Sequence, residues 1–136
     1  MNNSRFAISL HILVLLEKAN EELISSDYLA GSININPVLV RKELINLRKH
    51  GFVGTKEGKN GGSYLAKPAD RISLADVYLA VRQETLLGIA KNTPNPNCPV
   101  GREINTHLNE LYESTEQVLV RSLSGKSLAT FSREFD

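Results

Sequence analysis

Cysteine is nearly missing from this 136-residue chain and tryptophan is missing altogether: there is one Cys, at position 98, no Trp, one Met, and eight Phe and Tyr together. A single cysteine excludes an internal disulfide framework and fits a reducing compartment, so a cytoplasmic protein is expected. The stretch from Phe6 to Leu16 is mostly apolar, but Ser9 and His11 interrupt it. With no small-residue cleavage site behind it and too little length to span a bilayer, it predicts neither a signal peptide nor a membrane helix. Low-complexity segments and internal repeats are absent. So are a Ser/His/Asp set, paired carboxylates in a Gly-rich frame, and a phosphate-cradling loop. Gly58 to Gly62 carries neither the P-loop nor the dinucleotide fingerprint, so no enzymatic activity is expected.

Neither sign of charge is in excess overall, with 16 Lys and Arg against 15 Asp and Glu, but the charges are segregated. Between Asn36 and Lys67 stand Arg41, Lys42, Arg48, Lys49, Lys56, Lys59 and Lys67 against only Glu43 and Glu57, a local balance of +5. The segments on either side, 1–35 and 68–136, each sum to −2. A basic face on an otherwise acidic molecule is the footprint of a module that docks on a polyanion.

The order of local signals defines the architecture. Asn3 or Ser4 can cap a first helix that runs to about Ala19 and is apolar nearly all round. Ser25, Ser26 and Asp27 offer caps for a short second helix through Tyr28, Leu29 and Ala30, ending near Gly31 to Asn34. Asn36 caps a third helix with Pro37 at its first position, where the missing N–H costs nothing. In that helix Val40, Glu43, Leu44 and Leu47 form the inward stripe, while Val38, Leu39, Arg41, Lys42, Ile45 and Lys49 point elsewhere. Gly51 stops it, and the neighbouring His50 reads as a C-terminal cap. Phe52-Val53 and Tyr64-Leu65-Ala66 then read as two strands around the glycine-rich loop Gly58 to Gly62. Ser73 with Asp76 predicts a capping box at the start of a fourth helix through Val81. After the Asn/Pro-rich stretch Asn92 to Pro99, a long helix begins near Val100. Its residues Ile104, Leu108, Leu111, Thr115 and Val118 recur at spacings of four and three, a coiled-coil-like seam.

Helix, turn, helix and hairpin make a winged helix-turn-helix: mainly α with a small β-hairpin, followed by a long dimerisation helix. The expected organisation is a winged-helix domain over 1–83, a loop over 84–99, and the dimerisation helix with the C-terminal segment over 100–136. Double-stranded DNA is the expected partner, because a helix fits the major groove while the hairpin loop reaches the backbone or minor groove. Arg41 and Lys42 are candidates for base edges or phosphates, Val38 and Leu39 for thymine methyl groups, and Asn36, Lys49, Lys59 and Asn60 complete the contact set. A homodimer would set two recognition helices about 34 Å apart, the spacing of successive major grooves on a pseudo-palindromic operator. The competing expectation is a winged helix that docks on an acidic protein and reads no DNA. His11, in the apolar first helix, reads as a satisfied core or interface residue.

Leu47-Arg48-Lys49, Gly51-Phe52-Val53, Gly61-Gly62, Leu65-Ala66-Lys67-Pro68, Ile72-Ser73-Leu74, Asp76-Val77 and Ala80-Val81, with Arg5-Phe6-Ala7 and Ser127-Leu128-Ala129 at the two ends, resemble the bacterial transcription regulators that include IscR, NsrR and CymR. The resemblance covers nearly the whole chain. It implies a winged-helix homodimer acting mainly as a repressor, in several members responsive to a redox or metabolite signal, and it adds Arg5 to the DNA-contact set. Two departures stand out. Cluster-binding relatives carry three cysteines, often followed by a histidine; here Cys98 and His107 match, while Asn92 and Ile104 stand at the other two cysteine positions. One thiolate per subunit is too few for an iron–sulfur cluster, so no cofactor and no metal are expected. A two-Cys, two-His metal site shared across a dimer is not demanded by the spacing. Secondly, Glu57 occupies a position where relatives commonly carry an arginine, and a carboxylate there repels phosphate. Cys98, at the positive end of the long helix, is a candidate thiol sensor.

Overall fold

The computed structural model describes residues 4–136, so the Asn3 alternative for the first cap lies outside the described residues. Ser4 takes the N-cap position of α1 (Arg5–Lys18), and α1 buries Ile8, Leu10, Ile12, Leu13, Val14 and Leu16 at the centre of the molecule. Helix α2 (Ser26–Ile33) starts where the Ser25 hydroxyl accepts from Tyr28 N–H. It continues through Gly31 and closes on Asn34 in the left-handed conformation, φ 62°. Asn36 then caps α3 (Pro37–Lys49) by accepting from Val38 N–H at 2.9 Å. At the far end His50 sits at the C-cap with its ring Nδ1 2.9 Å from Asn46 O, and Gly51 reverses the chain at φ 81°.

The hairpin is longer than its apolar residues indicate and closes around a shifted loop. Strand β1 (Val53–Lys56) pairs antiparallel with β2 (Gly62–Leu65), from Val53 opposite Leu65 to Lys56 opposite Gly62. Two glycines make this closure possible. A Cβ on Gly61 would stand 2.1 Å from Lys56 O, and one on Gly62 would stand 2.8 Å from Ile24 O. The second contact marks a pairing that sequence pattern did not reveal: Ile24, ahead of α2, exchanges both backbone hydrogen bonds with Ser63, at 3.0 and 2.8 Å.

Ser73 and Asp76 form the expected capping box of α4 (Leu74–Val81), each backbone N–H donating to the other side chain at 3.0 Å. Residues 82–98 then run without regular structure to α5 (Pro99–Ser124), which packs along α4. The chain finally turns back through α6 (Leu128–Ser132) onto α1. Leu128 is fully buried, Leu128 N–H donates to Ile72 O at 2.7 Å, and Leu74 N–H donates to Lys126 O at 2.9 Å. The expected boundary at residue 100 therefore falls inside one packed body. The last ten residues belong to the winged-helix core, because Leu128 and Phe131 supply apolar surface that α1 and the 69–74 segment need.

Candidate nucleic-acid interface

Burial sorts α3 into two faces. Val40, Glu43, Leu44 and Leu47 are buried, which leaves Val38, Leu39, Arg41, Lys42, Ile45, Arg48 and Lys49 exposed on the opposite side. Val38 is 60% and Ile45 61% exposed, apolar side chains set among cations with nothing of their own chain over them. Such a pattern suits a helix that contacts thymine methyl groups and phosphates together. The Arg41 guanidinium lies 3.5 Å from the Ser26 hydroxyl, so α2 and α3 present one continuous edge.

The hairpin stands beside this face. Lys59 and Asn60 are exposed at its tip, where Asn60 at φ 67° and Gly58 at φ 94° make the reversal. Between α3 and the hairpin lies an open cleft of about 330 Å³, lined by Arg41, Ile45, Arg48, Thr55 and Glu57 among others. Arg48 Nη1 donates to Thr55 Oγ1 at 2.9 Å and ties the helix to β1. In the sequence Arg48 counts toward the basic balance but stands outside the expected contact set. Its signal was periodicity: positions 41, 45 and 48 share one helix face.

Arg5 does not join this surface as a free cation. Its Nε stands 2.9 and 3.2 Å from the two carboxylate oxygens of Glu43, and its Nη2 donates to Oε1 at 3.1 Å. Glu43 is only 4% exposed on the inward stripe of α3, and a carboxylate buried there needs a cation. Arg5 supplies it and locks α1 to α3. Asn36 is likewise engaged, with its side-chain oxygen spent on the helix cap. His11 Nε2 lies 3.0 Å from the Ser32 hydroxyl.

Cys98 is exposed at the N-cap position of α5. His107, about two and a half helix turns further along α5, has Nδ1 3.7 Å from Glu110 Oε2. Among the described residues no three His, Cys, Asp or Glu side chains gather in a metal-binding group. One thiol, one imidazole and two apolar or amide positions are not a donor set for an iron–sulfur cluster, so the residues present do not fit one. No helix among the described residues is long and apolar enough to cross a membrane.

Comparison with known proteins agrees with this geometry. The profile of the Rrf2 family, described as iron-dependent transcriptional regulators, matches residues 2–134. YwnA of Bacillus subtilis strain 168, classed as an HTH-type transcriptional regulator, is 43% identical over 129 residues, 94% of each chain. A crystal structure described as that of a DNA-binding protein is 35% identical, with a TM-score of 0.73 over 94% of this chain and 98% of that one. CymR, the global cysteine regulator of B. subtilis, shares the fold at a TM-score of 0.69 and 19% identity, over 100% of this chain and 98% of its own.

Proposed function

The chain belongs to the Rrf2 family and is a DNA-binding transcriptional regulator, and from that premise we propose that it acts as a cytoplasmic homodimeric repressor on a pseudo-palindromic operator. The observation that carries the proposal is the sorting of α3, which turns Val38, Leu39, Arg41 and Lys42 outward beside a basic hairpin tip. Support for pairing comes from α5. Along it Leu111 is 57% and Val118 61% exposed, in line with exposed Thr115 and half-buried Ile104 and Leu108, a stripe its own subunit leaves largely uncovered from Leu111 onward. A second apolar surface opens on α1, where Phe6, Leu10, Val14 and Leu15 with Phe131 and Phe135 line a groove of about 490 Å³. Two copies that bury these stripes would present two α3 helices about 34 Å apart. The protein in this reading carries out no chemistry of its own and responds to a signal by changing its hold on DNA.

Selection of bound duplexes from a random pool tests the reading directly. The expected product is a two-fold symmetric consensus with half-sites about 10 base pairs apart. Arg41→Ala and Lys42→Ala should each weaken binding to it roughly tenfold while leaving the oligomeric state intact. A pool from which no duplex is enriched would overturn the function. Unchanged affinity at both positions would move the reading surface off α3.

A further inference from the structure

Away from the basic face, a cavity of about 620 Å³ opens between the segment that follows α4 and the middle of α5. That volume lies in the range of small-molecule sites. One wall is Leu86 and Ile89 from the irregular segment, and the other is Tyr112 and Glu113 from α5. The cavity is braced by side chains rather than by backbone. Tyr112 OH donates to Gly88 O at 2.8 Å and pins the segment to α5. Glu116 receives Tyr78 OH at 2.9 Å on one oxygen and the Arg82 guanidinium on the other, joining α4 to α5.

Two properties set the chemistry of an occupant. Leu86, Ile89 and the Tyr112 ring offer an apolar and aromatic surface, suited to an apolar body and to a cation over the ring face. The charges, in turn, do not balance. Arg82 is the one cation of the lining, and Glu116 already holds it, while Glu84 and Glu113 have no ion-pair partner among the described residues. The site is also separate from the proposed pairing surface. Asn109, Tyr112, Glu113 and Glu116 follow one another at spacings of three, one and three, a single helix face. At 100° per residue that face is turned roughly 130° from the stripe through Ile104, Leu108, Leu111, Thr115 and Val118. Pairing along the stripe leaves the cavity open.

We propose that this cavity binds a small organic cation with an apolar body, its charge taken by Glu84 and Glu113 and its body by Leu86, Ile89 and Tyr112. An occupant there touches α5 and the 82–89 segment that leaves α4, and so bears on the angle between the winged helix and the long arm. The consequence for DNA rests on the homodimer reading above, because that angle sets the distance between two α3 helices.

Calorimetric titration of the full chain without DNA separates the two claims. Benzyltrimethylammonium should bind saturably at one per chain. Benzyl alcohol and benzoate, which keep the ring and change the charge, should bind at least about tenfold more weakly, as should spermidine, which keeps the charge and lacks the ring. The exposed Glu113 and Glu84 can be replaced without opening the core, so Glu113→Gln should keep its melting temperature and lose roughly tenfold in affinity for the cation, and the Glu84→Gln/Glu113→Gln pair should lose more. Ile89→Ser, on the apolar wall, should weaken the same ligand independently. Absence of saturable binding, equal binding of benzoate or spermidine, or an undiminished affinity in the double glutamine variant would overturn the site. With the site established, saturating cation should change affinity for the selected operator at least threefold, the reciprocal of what the operator does to the cation. An unchanged operator affinity would overturn the regulatory consequence, while failure to select any operator would strike the DNA reading and leave the cavity result intact.

Discussion

Two helices of this chain use their apolar residues in opposite ways. Helix α3, 13 residues long, lays Val40, Leu44 and Leu47 into the core and leaves its cations outside. Helix α5, at 26 residues, buries none of its residues fully. The difference lies in what stands opposite. Facing α3 is α1, apolar nearly all round and fixed by the Arg5–Glu43 pair. Along α5 stand α4 and the irregular segment on one side, while Leu111, Thr115 and Val118 look outward. A helix held by its own subunit is a reading surface of fixed shape. One that keeps an apolar stripe uncovered is stable in proportion to what covers it.

The largest effect should come from closing that outward stripe. Leu111→Glu with Val118→Glu puts two charges where a second copy would bury side chains, and the dimer dissociation constant should rise at least about 100-fold. Operator affinity should fall with it, since one subunit meets only half the site. Both residues are exposed within the subunit, so the winged-helix body should keep its secondary structure. Sedimentation velocity reads the first outcome and circular dichroism the second. A variant that still sediments as a dimer would remove α5 from the interface and with it the contrast between the two helices.

Breaking the body is the converse test. Arg5→Ala strands the Glu43 carboxylate at a site only 4% exposed. Loss of one partner of a buried pair costs about 3–5 kcal/mol, but the Arg5 side chain is 34% exposed and water screens it, so about 2–3 kcal/mol is expected. Urea unfolding measures this loss. Arg5→Ala combined with Glu43→Leu should recover most of it, because an apolar side chain in that place needs no cation. A double variant no more stable than Arg5→Ala would locate the role of Arg5 elsewhere than in neutralising Glu43.

Much of the body was legible in the residues because its signals are local. Asn36-Pro37, Gly51, and Ser73 with Asp76 each mark a helix end through contacts spanning four residues or fewer, and the structure places caps at all three. The inward stripe of α3 follows from a 3.6-residue period. What stayed hidden involves partners far apart in sequence. Glu43 belongs visibly to the buried stripe, yet nothing near it announces Arg5, 38 residues away. Ile24 joins Ser63 by backbone alone, with only Gly62 as a trace of the close approach. Leu128 returns to Ile72 across the whole length of α5, so a division of the chain by composition places it with the arm rather than the body. The cavity beside Tyr112 is likewise a product of two segments meeting, and neither wall carries a motif. The exposed face of α3 was readable for the converse reason, since residues left outside a well-determined stripe need no tertiary information.

The junction between body and arm offers the smallest effect and the finest test, since Tyr78 on α4 and Glu116 on α5 meet there. Burial first, then the hydrogen bond to Glu116 and the negative charge of that carboxylate, push the Tyr78 phenol up from 10.0 to about 12, against the opposing pull of Arg82. The folded protein thus holds this proton more tightly than the unfolded chain does. Below pH 10 both states keep it and the contribution to stability is fully present; as pH rises from 10 toward about 12 the unfolded chain releases it first, and the contribution is lost across that window. Tyr78→Phe removes the group and the hydrogen bond together. The variant should be slightly less stable below pH 10, and the gap should narrow as pH climbs, because only the wild-type protein has this contribution to lose. Near-ultraviolet absorbance titration should lose a phenolate component near pH 12 in the same variant. Parallel stability curves for the two proteins across the window would show that Glu116 does not hold the Tyr78 proton, and the arm would then be tied to the body chiefly through Arg82 and Tyr112.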